Sequence, residues 1–267
     1  MTLQEAADKL GVHYMTVYRY VRLGRLPARK ADGVWEIDAA DLEGLRRGHD
    51  RSVRPKRSAD WVSRLVARLL EGDEAGAWGV VEGALVSGTA PAEVYTEVLG
   101  PALFIVGEKW HEGVITVAQE HLATSVALRI IGRMGPRFAR KGRTKGTVVV
   151  TTPPAERHMI PSLMLSDFLR GAGLEVIDLG ADVPVDALSE ILVGVDNLVA
   201  VCVSSTRSGA ERAIRRVVKT VRKAVPDVPV FVGGASVPDA PFADSMGANG
   251  WASTGPEAVD LVLAAIA

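Results

Sequence analysis

The sequence predicts a multidomain α and α/β protein built from three consecutive parts. Residues 1–57 show two short helical patterns and a pair of short β segments, the order of elements in a winged helix-turn-helix. Residues 58–142 show helical periodicity alone, punctuated by Gly and Pro, which predicts a four-helix bundle. In residues 143–267 short apolar strands alternate with amphipathic helices, which predicts a five-stranded, doubly wound, Rossmann-like parallel sheet.

Charge and cysteine content narrow the class of protein. The 267 residues carry a formal net charge of −1, so any surface that binds a polyanion has to be local. Residues 1–57 offer one, since they hold twelve Lys and Arg against eight Asp and Glu. The single cysteine, Cys202, lies in an apolar run where a small buried hydrophobe is expected. The sequence has no secretion signal and no apolar span of about 18 residues, so we expect a cytoplasmic protein without a membrane partner.

The first part predicts a DNA-reading arrangement. Apolar residues recur at helical spacing over 3–10 and again over 17–21, with Gly11 between, and an Asp32–Gly33 turn then separates two short strands. A small helical cap or a protein-docking module would show the same helices, but the excess of Arg and Lys favours phosphate contact. The side chains expected at a major groove or its backbone are Tyr14, Thr16, Tyr18, Arg19, Arg22 and Lys30.

One span of the bundle, "GEKWHEGVITVAQEHLATSV", carries two conspicuous residue pairs. Trp110 and His111 form the first pair, and Glu120 and His121 form the second, with nine residues between Trp110 and Glu120. Thr116 followed by Gln119 is a capping-box pattern, so we expect a helix that begins there and holds Glu120 and His121 in its opening turns. The plainer interpretation is a helix start with a polar rim and a Trp that plugs a loop.

The carboxyl ends of the predicted strands should form the ligand-binding edge of the sheet. The loop after the first strand holds Glu156 and His158. A carboxylate in this position can accept one ring N–H and leave the other imidazole nitrogen as a metal donor. A zinc site needs three or four ligands, and the sheet loops supply no further His or Cys nearby. Any metal bound by His158 therefore has to bring most of its own ligands.

The N-terminal part resembles the DNA-binding domain of MerR and excisionase-like regulators. The resemblance rests on Gly24 to Ala28, Trp35, Ile37 and Asp41 to Glu43. Glu36 departs from it, because such wings often have a basic residue there. The resemblance implies binding to a double-stranded DNA operator. A single reading head of this size covers too little DNA for high specificity, so we expect a homo-oligomer, either a dimer or a tetramer.

The C-terminal part resembles cobalamin-binding domains, whose pattern is Asp or Glu, one residue, His, two residues and Gly, then SxL, then Gly-Gly. The matching residues are Glu156, His158 and Pro161 at the Gly position, then Ser204, Ser205 and Thr206, then Gly233 and Gly234. The resemblance implies that His158 is the lower axial ligand of cobalt. It also implies that the nucleotide tail lies against the serines and the two glycines, where a side chain would obstruct it.

The bundle resembles that of cobalamin-dependent regulators related to MerR, the CarH/LitR-type B12 photoreceptor family. In that family a Trp is followed after nine residues by Glu-His, as Trp110 is by Glu120 and His121 here. The resemblance implies that Trp110 and Glu120 hold the upper axial group of adenosylcobalamin and that His111 binds cobalt once light has removed that group. The chain would then be a light-responsive regulator and not an enzyme.

Two other interpretations stay open. Pro161, Thr206 and Glu36 depart from the family patterns, so the pocket could sense another ligand or none. Corrinoid methyltransferase modules also pair a helical bundle with this kind of sheet. Against the methyl-transfer interpretation, a DNA-reading segment has no place in that reaction and 267 residues leave no room for a catalytic barrel.

Overall fold

The computed structural model describes residues 1–10, 17, 20, 21, 26–31, 34–43 and 60–267. The chain divides into two compact units, residues 1–59 and residues 60–267, and each is described by itself. None of the helices within the described ranges is long and apolar enough to cross a membrane.

The first unit contains helix α1 (Leu3–Leu10) and an antiparallel ribbon of β1 (Ala28–Ala31) and β2 (Val34–Ile37). Ala31 pairs with Val34, which leaves two residues for the predicted hairpin turn; those two lie outside the described residues. Residues 39–43 are helical. The small core of this unit consists of Leu3, Ala6, Ala7, Val17, Leu26, Ile37 and Leu42.

Most of the predicted DNA-contacting residues lie outside the described ranges, namely Tyr14, Thr16, Tyr18, Arg19 and Arg22. Of the predicted second helix the structure describes residues 17, 20 and 21, which are helical. Lys30 lies on β1. On the same ribbon, Arg29 Nη2 lies 3.1 Å from Oε2 of Glu36, its cross-strand partner. The acidic residue that departs from the wing pattern is therefore paired with a basic neighbour.

The second unit begins with a helical bundle. Its helices are α2 (Trp61–Glu71), α3 (Glu74–Val86), α4 (Pro91–Glu93), α5 (Gly100–His111) and α6 (Val117–Met134). A π-helical segment, Val94–Leu99, joins α4 to α5 without a break, so these three stretches form one rod and the bundle has the four rods predicted. A short 3₁₀ turn, Gly135–Arg137, ends it.

Side-chain caps explain where the bundle helices begin. The carboxylates of Asp60 and Asp73 accept backbone N–H groups in the first turns of α2 and α3, at 3.0 and 2.8 Å. At α6 the N–H of Thr116 donates to Gln119 at 2.9 Å, and the N–H of Gln119 donates to the Thr116 hydroxyl at 3.3 Å. The capping box predicted at this helix start is confirmed.

The rest of the unit is a five-stranded parallel sheet with helices on both faces. Its elements are β3 (Thr147–Thr151), α7 (Ile160–Gly171), β4 (Glu175–Asp178), α8 (Val185–Val193), β5 (Leu198–Ser204), α9 (Glu211–Ala224), β6 (Val230–Gly233), α10 (Ala240–Met246), β7 (Gly250–Ala252) and α11 (Gly255–Ala265). The strand order is β4-β3-β5-β6-β7. The predicted doubly wound parallel sheet is confirmed, and its switch point lies between β3 and β5.

Alternation along the strands divides the sheet's core between two layers. Val148 and Cys202 pack in one apolar cluster with residues of α7 and α11, whereas Val149 and Val201 pack in another with residues of α8, α9 and α10. Cys202 is buried, as expected for a small core hydrophobe. Phe168 of α7 belongs to the core of the bundle, so bundle and sheet share packing through this helix.

Candidate functional site

A buried carboxylate, that of Glu156, is the centre of a hydrogen-bond network after β3. Its Oε1 accepts the backbone N–H of His158 at 3.0 Å and lies 2.6 Å from Nδ1 of that imidazole. Its Oε2 accepts the backbone N–H groups of Thr206 and Arg207, at 2.6 and 2.8 Å, and the hydroxyl of Ser205 at 3.2 Å. The carboxylate therefore joins the loop after β3 to the loop after β5.

This network fixes the charge of Glu156 and the tautomer of His158. Burial alone would raise the pKa of the Glu156 carboxyl, but the backbone N–H groups that point at it outweigh burial and lower the pKa to about 2. An ionised carboxylate can only accept, so Nδ1 of His158 carries the shared proton, and in the neutral imidazole the lone pair is then on Nε2. The His158 side chain is 63% exposed, so a ligand can reach the imidazole.

The loop that carries Glu156 is also held by the loop after β4. The N–H of Ala155 donates to Oδ1 of Asp182 at 2.6 Å, and the N–H of Asp182 donates to the carbonyl oxygen of Glu156 at 2.8 Å. Ala155 and Asp182 have φ values of 66° and 54°, a left-handed conformation that costs a non-glycine residue about 1–2 kcal/mol. Glu156 is thus fixed between two neighbouring loops, and some backbone strain is tolerated to keep it there.

A cavity of about 110 Å³ lies at the carboxyl ends of β5, β6 and β7. Three of the predicted tail-binding residues line it: Ser204, Gly233 and Gly234. The lining also includes residues that sequence reasoning did not single out, namely Leu165, Cys202, Phe231, Ser253, Thr254, Gly255 and Ala258. Burial raises the pKa of the Cys202 thiol to about 12, so at neutral pH this side chain brings no charge to the cavity.

Gly233 and Gly234 are required by the protein itself. A Cβ on Gly233 would lie 2.6 Å from the carbonyl oxygen of Ala252. A Cβ on Gly234, whose φ is +98°, would overlap the carbonyl oxygen of Ser205. The sequence interpretation attributed the small size of these residues to a bound tail. Because the strand ends already demand glycine here, the Gly-Gly pair is no independent evidence for the tail.

The two departures from the cobalamin-binding pattern leave the network intact. Pro161 is the second residue of α7, where a backbone N–H has no partner within the helix, so its absence costs little. Pro161 also lines the cavity. Thr206 adds a hydroxyl 3.4 Å from Oε1 of Glu156 to the contact that its backbone N–H makes. Neither residue disturbs the Glu156–His158 pair.

The other predicted residues lie together at one end of the bundle. Trp110 and His111 are the last residues of α5, and Glu120 and His121 follow in the opening turns of α6 after a short turn. Nδ1 of His121 lies 2.6 Å from Oε2 of Glu120, and the hydroxyl of Thr124 donates to Oε1 of Glu120 at 2.8 Å. The Glu120 carboxylate is therefore oriented by its own helix.

Apolar side chains are exposed at the same end of the bundle. Trp110 is 48% exposed, and Val114 and Val117 in and after the connecting turn are 62% and 54% exposed. A group of exposed large apolar side chains beside a carboxylate is typical of a surface that binds a ligand or a partner. This end of the bundle is therefore the second candidate binding surface.

The donor set of the site fits a corrinoid and does not fit a bare metal ion. The described part of the chain holds no group of three or more His, Cys, Asp and Glu that could bind a metal. His158 offers one accessible nitrogen, next to a loop in which the buried Nε of Arg207 has no hydrogen-bond partner. One imidazole is too few donors for a metal site built by the protein, so a metal bound here has to bring most of its other ligands, as the cobalt of a corrin ring does.

Three domain families match successive parts of the chain. Residues 61–134 and residues 146–262 each match a family described as B12 binding domain. Residues 1–49 match a family described as helix-turn-helix domain. The chain is thus similar, in succession, to a helix-turn-helix family and to two families of B12 binding domain.

Individual relatives fall into two groups. The HTH-type transcriptional repressor CarH of Myxococcus xanthus is 29% identical over 203 residues, which are 75% of this chain and 66% of the relative. Trimethylamine corrinoid protein 2 of Methanosarcina acetivorans is 27% identical over 219 residues, which are 77% of this chain and 96% of the relative. The chain therefore spans about two thirds of the repressor and nearly all of the corrinoid protein.

A solved structure shares the fold of the second unit. The monomethylamine corrinoid protein of Methanosarcina barkeri superposes with a TM-score of 0.66 at 19% identity, over 75% of this chain and 95% of that chain.

The relatives agree with the prediction that this chain is not an enzyme, since one is named a repressor and the matched domains are cofactor-binding domains.

Proposed function

We propose that the chain is a cobalamin-binding transcription regulator that binds a double-stranded DNA operator and responds to light through adenosylcobalamin. The observation that carries the proposal is the buried Glu156 carboxylate, which holds Nδ1 of His158 and leaves one accessible imidazole nitrogen for a metal. The match of residues 61–134 and 146–262 to B12 binding domains supports the same ligand.

On the sheet, His158 would ligate cobalt from the lower side through Nε2. Glu156 orients the ring and makes that nitrogen a better donor, because it accepts the proton on Nδ1. Ser205 and Thr206 act indirectly, since both donate to Glu156. Ser204, Gly233 and Gly234 would line the space for the nucleotide tail, with the cavity at the strand ends as that space.

On the bundle, Trp110 and Glu120 would hold the upper axial group. Adenosylcobalamin, when bound, supplies a cobalt–carbon bond that visible light cleaves. Trp110 offers an aromatic platform to an adenine, and Glu120, held by Thr124 and His121, can accept from sugar hydroxyls. His111, the neighbour of Trp110 at the end of α5, is the nitrogen donor that we propose for cobalt after illumination.

The DNA contacts are proposed from the helix-turn-helix match of residues 1–49. The residues proposed to touch DNA are Tyr14, Thr16, Tyr18, Arg19, Arg22 and Lys30. The protein would act as a homo-oligomer, a dimer or a tetramer, on repeated half-sites. Loss of the upper axial group would remove contacts at Trp110 and Glu120, and only such a difference between two states lets a ligand alter assembly and DNA affinity.

A corrinoid carrier for methyl transfer is the second candidate function. It is favoured by the extent of the match to trimethylamine corrinoid protein 2, which spans 96% of that relative. The helix-turn-helix match of residues 1–49 argues against it. A third candidate, a regulator whose pocket has drifted to another ligand or to none, rests on Pro161, Thr206 and Glu36. The first two leave the Glu156 network unchanged.

The visible absorption spectrum of protein loaded with adenosylcobalamin tests the proposal. We expect an imidazole-ligated spectrum in darkness that changes under green light, and a weaker, shifted complex in His158→Ala. His49→Ala, in the other unit, is the matched control and should behave as the parent protein does. Failure to bind any cobalamin would support the drifted pocket, and a spectrum unchanged in His158→Ala would remove His158 from the site.

Size-exclusion chromatography and operator binding, in darkness and after illumination, separate the remaining candidates. A regulator of the proposed kind should change its oligomeric state with light and retain operator DNA in only one state. If the cofactor photolyses and neither assembly nor DNA binding changes, the light response is wrong and a sensor of cobalamin level remains. If only His111→Ala loses the illuminated spectrum, His111 is the ligand after photolysis.

A further inference from the structure

A buried hydrogen bond crosses from the bundle to the sheet domain. The hydroxyl of Tyr95 donates to Oδ2 of Asp167 at 2.7 Å, and Nη1 of Arg170 donates to Oδ1 of the same carboxylate at 3.1 Å. Tyr95 is fully buried and Asp167 is 3% exposed. Burial and the contact with Asp167 raise the pKa of Tyr95 far above its usual range, so its hydroxyl is a permanent donor.

The aromatic ring of Tyr95 extends this contact toward the cavity. It stacks on Phe138 with centroids 5.1 Å apart and meets Phe168 edge-on at 5.7 Å. Phe168 packs closely on Gly255, where an added Cβ would lie 2.5 Å from the ring. Gly255 lines the cavity at the strand ends. The packing is therefore continuous from the bundle to the wall of the proposed tail site.

The two bonded residues lie on the elements that carry the two halves of the proposed cofactor site. Tyr95 is in the π-helical segment that runs directly into α5, the helix that ends at Trp110 and His111. Asp167 is in α7, which begins two residues after His158. A π-helical turn is rare and is frequent at functional sites. Here it places Tyr95 in the buried layer that faces α7.

A hydrogen bond restricts the relative position of two helices more strictly than apolar packing does. Apolar side chains tolerate small slides of one helix past another, whereas a hydroxyl and a carboxylate with no access to water are satisfied in one register only. The carboxylate is also held from its own helix by Arg170. The position of α5 relative to α7 is therefore set at Tyr95 and Asp167.

We propose that Tyr95 and Asp167 are positioning residues that set the gap between Trp110 on the bundle and His158 on the sheet, and so decide which upper axial group the site accepts. The inference rests on the proposed cobalamin site for its ligand. Neither residue would touch the cofactor; both act through α5, which carries Trp110, and through α7, which follows the loop that carries His158.

The first test compares two cobalamins that differ only in the upper axial group. Tyr95→Phe removes the hydroxyl and keeps the ring. We expect its preference for adenosylcobalamin over hydroxocobalamin to fall about tenfold, the effect of one lost buried hydrogen bond, with hydroxocobalamin affinity almost unchanged. Ile130→Val, a core substitution within α6, is the control for general loosening and should keep the parent preference. An equal loss for both cobalamins in Tyr95→Phe would overturn the proposal.

The second test needs no cofactor and so is independent of the proposed function. Spin labels on Val114→Cys and Arg157→Cys, both exposed sites, report the distance between the bundle end and the His158 loop. The buried Cys202 is shielded from the reagent. We expect a narrow distance distribution in the parent and in Ile130→Val, and a broad or shifted one in Tyr95→Phe. Unchanged distributions in all three would overturn the positioning role even if cobalamin binds.

Substitutions of Asp167 complete the test. Asp167→Asn keeps an oxygen acceptor for the Tyr95 hydroxyl and should stay close to the parent in both measurements, whereas Asp167→Ala should reproduce Tyr95→Phe. If Tyr95→Phe does not fold, the comparison of Asp167→Asn with Asp167→Ala decides whether the contact has a positioning role. If the parent protein binds no cobalamin, the proposed function fails, and the distance measurement still decides whether Tyr95 and Asp167 fix the two halves of the unit.

Discussion

Within the described part of the chain, two glutamate–histidine pairs have the same nitrogen–oxygen distance and opposite surroundings. In each pair an imidazole Nδ1 lies 2.6 Å from a carboxylate oxygen. Glu156 is fully buried and accepts three backbone N–H groups, those of His158, Thr206 and Arg207. Glu120 lies at an open helix start, where a threonine hydroxyl and its own histidine are its side-chain partners.

This difference indicates which part of the candidate site is formed before a ligand binds. Backbone N–H groups in packed loops cannot rotate away, so the donors around Glu156 hold His158 in one tautomer and orientation. Side-chain partners on its own helix give Glu120 a preferred direction, and its side chain stays 26% exposed while Trp110 is 48% exposed. We therefore expect the Glu156–His158 pair to be preformed, whereas the surface at Trp110 and Glu120 is completed by the group that binds there.

Removal of each carboxylate should give the largest contrast. Glu156→Ala strands three backbone N–H groups in a buried loop, so we expect it to lower the free energy of unfolding of the cofactor-free protein by about 3–5 kcal/mol. Glu120→Ala breaks two contacts within its own helix, one exposed and one partly buried, and should cost about 0.5 kcal/mol. Urea unfolding measures both. Similar losses for the two variants would mean that the lower pair is not preformed.

The acid limb of the stability curve should depend on Glu156. Its pKa is about 2 in the folded chain against an ordinary value of 4.5. A carboxyl group whose pKa is lowered by folding stabilises the folded chain fully above pH 4.5. This contribution, about 3 kcal/mol in all, is lost as the pH falls through 2. Glu156→Gln should flatten the decline between pH 4.5 and 2 in urea titrations at stepped pH. Glu120→Gln, the control, should keep it; a decline unchanged in Glu156→Gln would contradict the assignment.

Trp110 should matter for the ligand and not for the fold. Since the side chain is half exposed, we expect Trp110→Ala to leave the free energy of unfolding within about 0.5 kcal/mol of the parent. Adenosylcobalamin affinity should fall about tenfold with loss of the aromatic platform, whereas hydroxocobalamin affinity should not change. Isothermal titration with both cobalamins measures this. Val86→Ala, an exposed apolar residue on α3, is the control. Equal losses for both ligands would remove Trp110 from the upper site.

The smallest effect is expected from substitutions in the N-terminal unit, which should change neither glutamate–histidine pair. Arg22→Ala should weaken operator binding and lower the slope of log affinity against log salt by about one, the contribution of one phosphate contact. Fluorescence anisotropy over a salt series measures the slope. Lys219→Ala, an exposed cation on α9, is the control and should leave the slope unchanged. A slope unchanged in Arg22→Ala would place that residue away from the phosphates.

Sequence reasoning reached most of the fold because its patterns are local. The period-2 runs and their alternation with helices predicted all five strands, and the Thr116–Gln119 pattern predicted the start of α6. The π-helical segment Val94–Leu99 was missed, because one extra residue per turn leaves no mark on an otherwise helical pattern. The Tyr95–Asp167 contact was missed as well, since 72 residues separate its partners.

The sequence predicted the residue types of the candidate site but not the contacts that hold those residues in place. Glu156 and His158 were identified by residue type and spacing, and the structure brings them together. The contribution of Arg207 was invisible, because it is a backbone N–H that any residue other than Pro would supply. Asp182 was missed because its contact with Ala155 depends on two left-handed residues that are not glycine. The cavity lining combines four separate segments, which no single motif contains.

Amide hydrogen exchange of the cofactor-free and adenosylcobalamin-loaded protein tests whether the lower site is formed before the cofactor binds. We expect the amides of Thr206 and Arg207, both bonded to Glu156, to exchange slowly before any cofactor is added and to change little on loading. Segment 110–121 should gain protection only when adenosylcobalamin binds. Fast exchange of Thr206 and Arg207 in the free protein, or protection of both regions only on loading, would contradict a lower site that is formed by the protein alone.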